Sequence, residues 1–76
     1  MAACIQTMNI SSHYLWKNEI CRDAEILVLF KTTWDVYDVL ETQIKEIHPY
    51  DTPEIIAIDI EKGLQGYLSW IDEVTR

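Results

Sequence analysis

The sequence predicts an α+β fold that opens on a β-hairpin and continues into a helix. Three observations carry this. From Ile5 to Trp16 the residues favour a strand, with Ser12, Tyr14 and Trp16 on one side and His13 and Leu15 on the other. Ile26 to Phe30 is an unbroken apolar run, which suits a strand covered on both faces. The period then changes: Val36, Val39, Leu40, Ile44 and Ile47 recur at three and four, the stripe of an amphipathic helix.

Met1 to Cys4 is too short to form an element. The first strand is expected over 5–16. Lys17-Asn18-Glu19 reads as a hairpin turn, because Asn tolerates positive φ. The second strand is expected over 20–32. Thr33 is placed to cap the helix and Asp35 to face the positive end of its dipole. Pro49 disfavours helical geometry at His48, so the helix should end near Ile47. Two prolines stiffen the loop from His48 to Pro53. A third strand is expected over 54–60, with Ile56, Ile58 and Ile60 on one face. Gly63 and Gly66 break a loop over 61–66. A short helix follows from Tyr67 to Thr75, with Leu68, Ile71 and Val74 on one stripe.

The order β-β-α-β-α is the latter part of a ferredoxin-like β-α-β-β-α-β sandwich, lacking its first strand and most of its first helix. The 76 residues make a single domain. In that fold the absent strand is central, and without it strand-edge amides and carbonyls stay unpaired. The expectation is that a chain starting at Met1 is unstable alone, and that the native protein carries roughly 30 further N-terminal residues, the size of a strand-helix unit.

Six bases against thirteen acids give a net charge of −7. Lys17, Arg22, Lys31, Lys45, Lys62 and Arg76 are scattered, so no basic patch exists for phosphates; neither nucleic acid nor an anionic membrane is an expected partner. No apolar run reaches the roughly 18 residues of a membrane span. No targeting segment is evident. Cys4 and Cys21 are too few and too widely spaced to be a disulfide framework, which points to reduced thiols in the cytoplasm. Three Trp among eight aromatics are more than a domain this small can readily bury, which favours assembly with other subunits.

Several blocks resemble the CutA divalent-cation tolerance family. Ala2-Ala3-Cys4-Ile5 looks like the end of that family's first helix. Ser12-His13-Tyr14-Leu15-Trp16 with Glu19-Ile20 resembles its Ser-x-Tyr-x-Trp hairpin, and Leu29-Phe30-Lys31-Thr32 its Leu-x-Lys-Thr strand end. His48-Pro49-Tyr50-Asp51-Thr52-Pro53-Glu54 is similar to its most specific block, His-Pro-Tyr-x-x-Pro-Glu. Tyr67-Leu68-Ser69-Trp70-Ile71 resembles its C-terminal helix. The five blocks run in register along the whole chain. The resemblance implies a PII-like homotrimer, tolerance of or binding to Cu(II) and other divalent cations, and no organic cofactor. It departs in two respects that touch metal: a cysteine implicated as a copper ligand in a bacterial member lies in the first strand, which is absent here, and that member's two adjacent histidines before the proline read Ile47-His48, so only His48 matches.

His48 is the first metal candidate, since neutral imidazole suits copper and zinc and a stiff loop can fix its ring. Cys4 and Glu54 are candidate co-ligands, as is Asp51, brought near by folding or by a neighbouring subunit. The plain alternative for His48 is a cap on the carbonyls of the preceding helix. Cys4 and Cys21 otherwise read as inert thiols in apolar surroundings, and His13 as a satisfied strand residue. Tyr14, Trp16, Tyr50, Tyr67 and Trp70 read as subunit-interface aromatics rather than the lining of a ligand cleft. Glu19, Asp23, Glu25, Asp72 and Glu73 read as solvated carboxylates. No Ser-His-Asp order, phosphate loop or acid/base carboxylate pair appears, so no enzyme is expected and no catalytic residue is assigned. The expected function is that of a trimeric divalent-cation tolerance protein. Its rivals are a PII-like effector-binding trimer, with a pocket at the subunit junction lined by Tyr50, and a structural anchor.

Overall fold

The computed structural model describes residues 1–75. Strand β1 (Cys4–Trp16) and strand β2 (Glu19–Lys31) form a two-stranded antiparallel sheet. The register runs without interruption from Cys4↔Lys31 to Trp16↔Glu19. The turn holds two residues rather than three. Lys17 and Asn18 sit at φ 50° and 66°, the left-handed pair of a type I′ turn, whose twist matches that of the strands. Beyond the ladder, Ala3 N–H donates to the Lys31 carbonyl at 2.8 Å and the Thr32 hydroxyl to the Met1 carbonyl at 2.6 Å.

Helix α1 (Trp34–Ile47) starts and stops where its signals place it. Thr33 occupies the N-cap position in extended geometry, but its side chain makes no capping hydrogen bond; only its carbonyl accepts, from Val36 N–H. Asp35 lies in the first turn and Lys45 in the last, both of the sign the helix dipole favours. The helix ends at His48, whose backbone N–H donates to the Ile44 carbonyl at 2.9 Å. Val36, Leu40 and Ile44 are half-buried, whereas Val39 and Ile47 of the same stripe are exposed.

The expected strand over 54–60 belongs to no ladder; among the described residues the sheet holds only β1 and β2. A strand needs a hydrogen-bonding neighbour, and this segment finds none. Helix α2 (Gln65–Val74) begins two residues before its expected start, taking in Gly66. Leu64 replaces the glycine boundary: its carbonyl accepts from the N–H groups of Tyr67 and Leu68, both at 3.0 Å. Gln65 Nε2 donates to Ser69 Oγ one turn on, at 2.9 Å. Gly63 lies close to Leu68: a Cβ there would sit 3.0 Å from Leu68 Cδ2, so that side chain would have to shift.

The packing is thin. Ile71, on α2, is the one buried hydrophobic residue among those described, at 3% exposure. The accessible surface is 6711 Å², about 1,900 Å² more than a compact monomer of this mass presents. The radius of gyration is 14.9 Å, against roughly 11 Å for a compact domain of this length. All three Trp are largely exposed, as their number leads one to expect.

Candidate functional site

The two-residue period of a strand puts Cys21, Asp23, Glu25, Leu27, Leu29 and Lys31 on one face of β2. The register adds Tyr14 to that face, opposite Cys21. Tyr14 hydroxyl donates to Asp23 Oδ2 on the diagonal neighbour. This bond, with lesser help from partial burial and from the Asp23 charge, pushes the phenol up to about 12. Two residues further on, Tyr50 hydroxyl donates to Glu25 Oε2 at 2.9 Å. That bond, followed by the repulsion of the Glu25 charge, raises the Tyr50 phenol too. Phenols are thus held neutral by carboxylates at two successive positions of β2.

His48 joins this corner through Tyr50. Their rings meet edge to face, 4.9 Å apart at 63°. Tyr50 N–H donates to His48 Nδ1 at 3.1 Å. The His48 backbone therefore caps α1 while its half-buried ring closes the first turn of the proline loop. An imidazole that accepts at Nδ1 in its neutral form carries its proton on Nε2. Coordination at either nitrogen then requires a displaced hydrogen bond or a tautomer change.

At the far end of β2 the chemistry has the opposite sign. Lys31 Nζ donates to Tyr67 hydroxyl at 3.0 Å and sits 5.2 Å from the ring centroid. The bond to Tyr67 raises the Lys31 ammonium above its usual value. Tyr67 in turn lies against Trp70, with centroids 5.7 Å apart.

Cys4 pairs with Lys31 in the register, while His48 is tied to the Glu25 end six residues away, roughly 20 Å along the strand. No three His, Cys, Asp or Glu side chains converge as a metal site among the described residues. Within one subunit His48, Cys4 and Glu54 therefore do not make a metal centre. Cys4 and Cys21 are both free and half-buried. They stand ten register steps apart, too far for a disulfide. His13 lies exposed opposite Arg22. Tyr14, Trp16, Tyr50, Tyr67 and Trp70, expected at a subunit interface, are between 38% and 51% exposed. Neither of two open hollows contains Tyr50. One, of about 490 Å³, lies between Phe30 and the Leu40–Ile47 turns of α1; the other, of about 210 Å³, lies on the hairpin at Met8 and Leu27. Sequence reasoning gave Asp23, Glu25 and Lys31 no part in a site. Counting register back from the hairpin turn would have placed Asp23 beside Tyr14. Nothing in the order of residues points to the long-range pairs Tyr50–Glu25 and Lys31–Tyr67.

A hairpin followed by two helices, with apolar surface left open, defines an α+β domain whose structural neighbours include PII-like proteins. The family profile described as CutA1 divalent ion tolerance protein matches residues 1–74. A divalent-cation tolerance protein CutA of Thermus thermophilus is 40% identical over 76 residues, which are 99% of this chain and 74% of that protein. The solved structure of a Thermus thermophilus divalent cation tolerance protein overlays with a TM-score of 0.93 at 39% identity, again over 99% and 74%. A structure of a PII-like protein CutA from a Nostoc species overlays at 0.85 and 31% identity, over 91% of this chain and 68% of that one. The chain spans less than half of the mouse relative, 44% of it at 37% identity. This chain belongs to the CutA1 divalent ion tolerance protein family.

Proposed function

We propose that the chain acts in divalent-cation tolerance as a non-catalytic cytoplasmic homotrimer that takes up Cu(II) or a similar ion, with His48 as the principal ligand. The family match over residues 1–74 carries this reading. Support for His48 comes from its place: a half-buried imidazole held against Tyr50 at the rim of an acidic corner formed by Asp23 and Glu25. One subunit supplies a single suitable nitrogen there, and a stable site needs several donors. The remaining ligands, for which Cys4 and Glu54 are the candidates, therefore come from neighbouring subunits.

The test is native mass spectrometry of the purified protein, with and without Cu(II). A trimer that gains copper in stoichiometric steps supports the proposal. His48→Ala should then weaken copper uptake at least tenfold and leave the trimer intact. Equal uptake by the variant would remove His48 from the site. A trimer that ignores copper would turn attention to an anchoring role.

A further inference from the structure

We infer that Tyr50 is a latch on the ion site: its backbone N–H occupies the lone pair that His48 would offer an ion, and its phenol, bonded to Glu25, keeps it there. Uptake of an ion at His48 and closure of the first turn of the proline loop then exclude each other. This regulation rests on the role proposed above for His48.

A neutral imidazole has one N–H and one free lone pair, on different nitrogens. In His48 the lone pair is at Nδ1, where it accepts from Tyr50 N–H at 3.1 Å. The proton is therefore on Nε2. His48 can bind an ion through Nδ1 only by giving up the Tyr50 bond. It can bind through Nε2 only by moving the proton to Nδ1, which then points a donor at a donor. Both routes release the same N–H.

The local sequence makes this bond the natural closure of the turn. Pro49 has no N–H, so that of Tyr50 is the first in the loop able to reach back to His48. The His48 N–H is already engaged, donating to the Ile44 carbonyl at 2.9 Å. That bond fixes the backbone at the end of α1, and the imidazole ring is the part left to turn.

The other end of the latch is on β2. Tyr50 hydroxyl donates to Glu25 Oε2 at 2.9 Å, and the Tyr50 ring meets that of His48 edge to face, with centroids 4.9 Å apart. A hydrogen bond to a carboxylate is stronger than one between neutral groups. It restrains the residue whose N–H must leave before His48 can take up an ion. Such coupling is reciprocal: a change that weakens the anchor favours the ion.

The experiment uses the whole chain and Cu(II) alone. Proton–nitrogen correlation NMR of the metal-free chain should show His48 as the Nε2–H tautomer. Addition of Cu(II) should speed amide exchange in peptides that contain Tyr50, followed by mass spectrometry. Tyr50→Phe keeps the ring and removes the anchor. It should bind Cu(II) roughly two- to tenfold more tightly, the scale of one net hydrogen bond. In a Glu25→Ala background the same substitution should change affinity by less than about twofold, because the bond is already absent. An Nδ1–H tautomer in the metal-free chain would overturn the latch whatever copper does. So would unchanged exchange at Tyr50 on copper binding, or a Tyr50→Phe variant that binds Cu(II) equally or more weakly. Those results leave His48 standing as a ligand. It falls instead if the parent takes up no copper or His48→Ala takes up as much, and the latch falls with it.

Discussion

The hairpin and the segment 54–60 are made of similar material and end in different states. Both are rich in the β-branched and apolar residues that strands favour. The hairpin forms a thirteen-rung ladder because its partner arrives after a two-residue turn. The isoleucine segment has as much strand-favouring side chain, yet pairs with no strand among the described residues. Being a strand is a property of a pair of segments, and side-chain preference alone does not create one. The same contrast separates α2 from that segment: Ile71 on the helix is 3% exposed, whereas Ile58 is 83% exposed.

The largest expected effect follows from that last pair. Ile71→Ala should destabilise the chain by about 2–4 kcal/mol, because it empties the one buried apolar position described. Ile58→Ala should change stability by less than about 0.5 kcal/mol in the unliganded chain, as expected of an exposed site. Urea denaturation of the two variants measures both. Equal losses would mean that segment 54–60 is already buried in solution, and the comparison would fail.

A smaller effect is expected at the hairpin turn, where the ladder's advantage over the segment originates. Asn18 holds φ 66°, and β-branched residues pay a steric cost there. Asn18→Val should destabilise by roughly 1–2 kcal/mol, while Asn18→Gly should be neutral or slightly favourable. The check is the urea midpoint together with amide exchange along β1 and β2. A Val variant as stable as the parent would show that the ladder, and not the turn, sets the register.

Much of this was legible before any coordinates. The strand alternation, the Asn-containing turn, the three-and-four stripe and the stop before Pro49 are local signals, and each element they mark is present. Reading Gly66 as a breaker places the start of α2 two residues late. In the first turn of a helix the backbone N–H groups have no helical partner anyway, and a glycine there costs little. The strand expected over 54–60 forms no ladder among the described residues, because alternation marks a strand-ready segment without naming a partner for it. The site was less legible than the fold. His48 stood out by its loop, but Tyr50–Glu25 and Lys31–Tyr67 join residues 25 and 36 positions apart. Asp23 and Glu25 read as solvated carboxylates; Asp23 is exposed and Glu25 half-buried, and each accepts a hydrogen bond from a tyrosine.

Those tyrosines supply the finest test, because they report whether the segment's anchor resembles the hairpin's own internal bond. Tyr14 is tied within the hairpin to Asp23, and Tyr50 ties the loop before segment 54–60 to Glu25. Both phenols are raised, Tyr14 to about 12, chiefly by the hydrogen bond to the carboxylate. A raised phenol means that the folded chain holds its proton more tightly than the unfolded chain. The stability it contributes is complete below the ordinary phenol range near 10 and is lost as pH rises towards 12. Absorbance titration of tyrosinate should show Tyr14 ionising late in the parent and near the ordinary value in Asp23→Asn. Glu25→Gln should do the same for Tyr50 without moving Tyr14's principal partner. If Glu25→Gln leaves every tyrosine unchanged, the Tyr50 anchor is not made in solution, and segment 54–60 is held to β2 only at Lys31.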